Sequence, residues 1–186
     1  SVLALFGVLA RHRPDHPALL GGHEELLVLL GANPVTSTTS GEPTPPEEEV
    51  LALDQPSFDL FAYLVCAHHG KVRGAWHTTP ADQEFRDVDA RGLPIHGVRN
   101  GDSLPSVAVN AADGRSYPGP PLSLSLEPAR LGFSPHTGAS WAERTGRLLA
   151  THGLFRLGYF EALLRAADAR ASGATPADSL PLAHVP

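Results

Sequence analysis

Apolar and polar positions alternate along this chain in a way that marks out five helices before any chemistry is considered. Val2, Leu3, Leu5, Phe6, Val8 and Leu9 crowd the first ten residues and predict a dense apolar helix over 1–10. A second helix is predicted from His23-Glu24-Glu25-Leu26-Leu27-Val28-Leu29-Leu30, with acidic residues in its first turn and Gly31 closing it. The stretch from Phe58 to Arg73 organises the rest: it is apolar at every position from Leu60 to Ala67, so a helix there must be covered on most sides. Pro56-Ser57 starts it, and Gly70 is the residue that best tolerates the turn ending it. Ser140-Trp-Ala-Glu143 fits a capping box before a run through Leu148-Leu149, and a last helix is predicted over 154–172.

Between these runs the period is lost. Residues 33–49 are rich in Thr, Ser, Pro and Glu and read as a long mobile loop. Residues 77–130 read as an irregular, β-containing insertion. Asp113-Gly114 marks a hairpin turn between Ser106-Val-Ala-Val109 and Arg115-Ser-Tyr117, and Leu122-Ser-Leu-Ser-Leu126 alternates as a strand does. Residues 173–186 read as a C-terminal tail. The expectation is a mainly α single domain spanning 1–186, with a small β-containing insertion between the central and the last helices.

Composition narrows the function classes. A formal charge of −6 argues against binding nucleic acid through bulk charge, so any such contact must be local. The lone cysteine, Cys66, cannot form an internal disulfide and lies inside the apolar run, which fits a small core residue and a reducing, cytoplasmic compartment. No apolar run reaches the length of a membrane span, and the start lacks the basic residues of a signal peptide. The chain has no methionine, even at position 1, from which an upstream extension is expected.

Polar groups on apolar faces supply the candidate chemistry. His68 and His69 end the central helix, where the partial negative charge of the helix terminus favours a cation held by two imidazoles. The alternative is one hydrogen-bonded core histidine beside one solvated histidine. His23 stands three, four and seven residues before Leu26, Leu27 and Leu30 and so begins a buried stripe, as a ligand or as a capping histidine. In the last helix Leu157, Phe160, Leu164 and Ala171 mark the core stripe, Glu161 and Arg165 form an exposed pair, and Asp168 falls on the buried face. An ionised carboxylate there needs an arginine or a metal as partner. Imidazoles and a carboxylate around one pocket suit a first-row transition metal.

His23-Glu24, Ala67-His-His-Gly-Lys-Val-Arg73, Gly97-Val-Arg-Asn-Gly-Asp-Ser-Leu-Pro105 and Phe155-Arg-Leu-Gly-Tyr-Phe-Glu-Ala-Leu-Leu-Arg-Ala-Ala-Asp-Ala-Arg-Ala-Ser172 together resemble the HD nuclease domain of the CRISPR-associated helicase-nuclease of type I systems, in particular its U (also called G) subtype. The resemblance covers residues 21–172. It implies an HD-domain helical bundle that hydrolyses single-stranded DNA with a divalent transition metal (Mn, Fe, Co or Ni, with Zn or Mg as alternatives). The implied partners are single-stranded DNA, a helicase region and the RNA-guided surveillance complex of type I CRISPR interference; no membrane is implied. His23, His68, His69 and Asp168 match the family's metal-binding and catalytic positions. Lys71 and Arg73 are placed to hold DNA phosphates, or are ordinary solvated charge. The chain departs from the family in having Gly22 where an arginine is usual, and in containing no His-Asp dipeptide, so the domain is expected to be incomplete at its N-terminus. Two other readings share these residues: a different HD-type nucleotide phosphohydrolase, and a degenerate HD module that only docks partners.

Overall fold

The structure, a computed structural model, describes residues 2–32, 41–67, 72–110, 114–119 and 121–174. It is mainly α, with seven helices and four two-residue strands among the described residues. Helix α1 (Val2–His12) buries Val2, Leu3, Phe6, Val8 and Leu9. A short α2 (Pro17–Leu20) follows, capped by the His16 side chain, which accepts the Ala18 N–H at 3.1 Å. Helix α3 (Glu24–Leu29) comes next, then α4 (Pro45–Leu51) and the central α5 (Gln55–Ala67). After the short α6 (Pro80–Gln83) and the β segment comes α7 (Trp141–Ala174), the last described helix. Gly153 (φ 72°, ψ 161°) breaks α7, dividing it as the two predicted helices require. No single helix among the described residues is long and apolar enough to cross a membrane.

The core forms where α1, α2 and the first part of α7 close on α5. Phe58, Ala62 and Ala67 of α5 are fully buried, Phe6 meets Phe58 edge to face at 5.1 Å, and Leu148 and Leu157 of α7 join the same cluster. The cover of α5 is one-sided, since Phe61 is 44% exposed. Cys66 packs against this cluster, and burial pushes its thiol up to about 12, so it stays protonated and unreactive.

Two expectations are corrected here. The segment 33–49 is not all loop: residues 33–40 lie outside the described residues, but α4 begins at Pro45. Thr44 and Glu47 form a capping box there, with the Thr44 N–H donating to Glu47 at 2.8 Å. The leucine stripe of α3 does not bury as a stripe: of Leu26, Leu27 and Leu30 only Leu27 turns inward, while Leu26 and Leu30 are 38% and 59% exposed. The β segment is real but slight. β1 (Ser103–Leu104) pairs antiparallel with β4 (Leu122–Ser123), and β2 (Val109–Asn110) with β3 (Ser116–Tyr117) across the expected hairpin, whose residues 111–113 are outside the described ones. Leu122 and Leu124 face inward on either side of exposed Ser123, as the alternation predicts.

The turn before α7 is locked to α2. Ser134 and Gly138 exchange two backbone hydrogen bonds of 2.9 Å, and Ala139 N–H donates to the Leu20 carbonyl at 3.2 Å. Gly138 adopts φ +64°, and a methyl group on it would overlap the Leu20 carbonyl. Gly138→Ala is therefore expected to cost at least about 2 kcal/mol, from the left-handed backbone and the displaced carbonyl together. Thermal unfolding measures it, and an unchanged melting temperature would show that this turn is free to move.

Candidate functional site

His23 and Arg73, of the predicted site, attach to two carboxylates of α7. His23 precedes α3 at its N-cap, yet its ring makes no cap hydrogen bond. Nε2 instead lies 2.8 Å and 3.0 Å from the two oxygens of Glu143, and the ring stands edge to face on Phe133 at 5.5 Å. An ionised carboxylate only accepts, so Nε2 is the donor in this contact. Ser140 Oγ accepts the Glu143 N–H at 3.2 Å, which is half of the predicted capping box; the Glu143 side chain goes to His23 and, at 2.8 Å, to Arg147.

From Arg147 the chain of charges runs inward. Arg147 Nη2 reaches Asp59 at 3.2 Å, and Asp59 accepts from Arg144 at 2.6 Å. Asp59 and Arg144 are both buried, at 3% and 1% exposed. Arg144 also donates to the carbonyls of Ala18 at 2.6 Å, Leu19 at 2.5 Å and Ala139 at 3.3 Å, so one guanidinium joins α2, α5 and α7. Burial lowers its pKa, against the pull of Asp59. This pair carries the helix crossing on which His23 and Glu143 are mounted. Asp59, a carboxylate next to the apolar run Leu60–Ala67, is the mark that this pair leaves in the sequence.

Glu161 is the second carboxylate, and its place corrects an expectation. It is buried rather than exposed, accepting from Tyr63 Oη at 2.6 Å and from Arg73 Nη2 at 2.9 Å. Burial alone would raise its pKa, but the Arg73 and Tyr63 hydrogen bonds outweigh burial and hold it below the usual carboxylate range. Arg73 spends Nε and Nη2 on Glu161 while its side chain stays 54% exposed, and its carbonyl accepts the Trp141 indole N–H at 2.7 Å.

Asp168 is exposed, not on a buried face, as are Ala171 and most of α7 beyond Glu161. His68, His69 and Lys71 lie outside the described residues. His23 and Arg73 are held by different carboxylates, and no three His, Cys, Asp or Glu side chains among the described residues are grouped to hold a metal. Gly22, next to His23, lies against Gln55 at the start of α5, whereas His68 and His69 follow its other end. No family model, curated protein or solved structure matches the chain.

Burial, then the Glu161 carboxylate, push the Tyr63 hydroxyl up to about 12 from its ordinary 10.0. A raised folded-state value means that this stabilisation is complete below pH 10 and is lost as pH rises through about 12. Tyr63→Phe is expected to cost about 1–3 kcal/mol at neutral pH and to flatten the alkaline loss. Unfolding followed across that range checks both, and an unaltered alkaline limb would remove Tyr63 from the account.

Proposed function

We propose that the chain is a metal-dependent nuclease module with an HD-type helical bundle, cutting single-stranded DNA in type I CRISPR interference alongside a helicase. The observation that supports this reading is the His23–Glu143 contact. A metal-binding histidine characteristically donates its second ring N–H to a carboxylate, which fixes the tautomer and leaves the other nitrogen to bind. His23 has that arrangement, with Arg147 and Asp59 securing the carboxylate from behind.

A divalent transition metal at the assigned donors His23, His68, His69 and Asp168 would polarise the scissile phosphate and lower the pKa of a bound water. Because His23 lies by the start of α5 and His68 and His69 follow its end, about 18 Å of helix away, His23 would serve a metal position apart from the His-His pair. His23 fits such a role in having Nε2 engaged by a carboxylate. Asp168, exposed, fits as a ligand open to a DNA strand rather than as a buried one. Arg73, fixed by Glu161 with Nη1 left over from that pairing, and Lys71 would take backbone phosphates.

Titration of the chain with Mn2+ or Ni2+ by calorimetry tests the reading. The isolated chain, without the upstream ligands, is expected to bind at most one metal, loosely. His23→Ala and His68→Ala should each weaken that binding at their own position, and Glu143→Gln should weaken it at His23 by about 10- to 100-fold, with helical content unchanged. The isolated chain should cleave single-stranded DNA poorly; metal-dependent cleavage should appear when an upstream segment carrying the His-Asp motif is restored, and should fall again in the His23→Ala and His68→Ala variants. Metal affinity indifferent to all three would overturn the site. The surface favours a second reading, a module that only docks partners: Val28 and Leu29 on α3, and Leu154 and Phe155 on α7, are exposed apolar side chains of the kind that mark interaction faces. Under that reading the chain binds no metal at all.

A further inference from the structure

We propose that the cleft between α1 and the β1–β4 ribbon binds an uncharged heteroaromatic small molecule of nucleobase or nucleoside size. The cleft has a volume of about 620 Å³, within the range of sites that hold small ligands. Phe6 and Ala10 of α1, with Leu19 and Leu122, line it with apolar surface, while Asn100, Ser125 and Thr137 bring hydrogen-bonding groups to it. An apolar lining with a polar margin fits a ring that is apolar on its faces and polar along its edge.

The charges in the wall are already matched, which selects a neutral ligand. Arg11 donates to the Pro121 carbonyl and lies 3.6 Å from Glu47. Glu127 accepts from Ser134 Oγ at 2.6 Å and sits 3.5 Å from Arg130. Neither guanidinium nor carboxylate is left to meet an anion or cation; His136, on the rim, is exposed and titratable. Thr137 is the independent observation. It is 7% exposed, and its Oγ1 is buried with no hydrogen-bond partner, an arrangement that native structures avoid unless something else completes it. Thr137 lines the cleft, and a ring nitrogen or carbonyl of the ligand would partner Oγ1 once the side chain turns it towards the cleft. The inference rests on residues separate from His23 and stands whether or not the chain is a nuclease.

Adenosine, with AMP as its charged counterpart, is the probe, and saturation-transfer NMR with calorimetry on the full chain is the measurement. Adenosine is expected to bind saturably and AMP no more tightly. Thr137→Val keeps the shape and removes the hydroxyl, and should weaken adenosine by about tenfold, the equivalent of one hydrogen bond. Ala10→Trp fills the cleft and should abolish binding; its circular dichroism reports whether the fold is kept, and Thr137→Val carries the test if it is not. Absence of saturable adenosine binding, affinity unchanged by Thr137→Val, or tighter binding of AMP would each overturn the proposal.

Discussion

Arg144→Ala is expected to cost about 3–5 kcal/mol, a large share of the stability of a domain this size, because it strands the Asp59 carboxylate in the core. Asp59 keeps only Arg147 at 3.2 Å after the change, and the carbonyls of Ala18 and Leu19 lose their donor as well. Asp59→Ala should be comparably harmful, since it leaves a guanidinium that is 1% exposed without its counter-charge. The pair is coupled, so the combined Arg144→Met and Asp59→Leu variant should recover much of the loss by exchanging both charges for apolar volume. Urea unfolding with an unchanged slope measures all three. A single-variant loss below about 1 kcal/mol would show that this crossing is held by packing alone.

How far these features were legible in the sequence depends on whether a residue's role is local. The α1 and α5 helices, the break in α7 and the β2–β3 hairpin follow from apolar period and turn residues, which act over a few positions. The α4 helix was also legible, in Thr44-Pro-Pro-Glu47, but the surrounding low-complexity composition outweighed four residues of capping chemistry. Glu161 and Asp168 exchanged roles for a different reason. Glu161 lies four residues after Leu157, on the face that meets α5, and Tyr63 there offers a hydroxyl that needs an acceptor. Asp168 shares the apolar period but is exposed, and a periodic face buries nothing unless another element covers it. The Glu143 partner of His23, 120 residues away in sequence, leaves no mark in either local pattern.

Asp82→Ala is expected to release the segment between α6 and β1, making its backbone the first point of proteolytic cleavage. The Asp82 carboxylate accepts the Thr79 N–H at 2.8 Å and hydroxyl at 2.9 Å, and then the N–H groups of His96 and Gly97, both at 2.9 Å, from the far end of the loop. It thereby holds His96 at φ +51°, a conformation that a non-glycine residue adopts only when its surroundings impose it. Inside the loop, Arg99 donates to Asp87 at 2.7 Å and to Asp89 at 3.1 Å, but these contacts tie the loop to itself rather than to α6. The backbone hydrogen bond from Thr79, then those from Gly97 and His96, hold the Asp82 carboxyl down to about 2 from an ordinary 3.8. A lowered folded-state value means that the stabilisation is complete above 3.8 and is lost as pH falls through about 2, so the loop should stay closed in mild acid and open only near that lower value. Asp82→Asn should open it at neutral pH, because an amide accepts fewer of these donors and carries no charge. Limited proteolysis at neutral pH, with mass spectrometry of the first cut, compares the variants with the parent, and amide exchange of His96 and Gly97 follows the acid opening. Cleavage that begins elsewhere in both variants, or loop exchange that is independent of pH down to 2, would show that the Arg99 network closes the segment without Asp82.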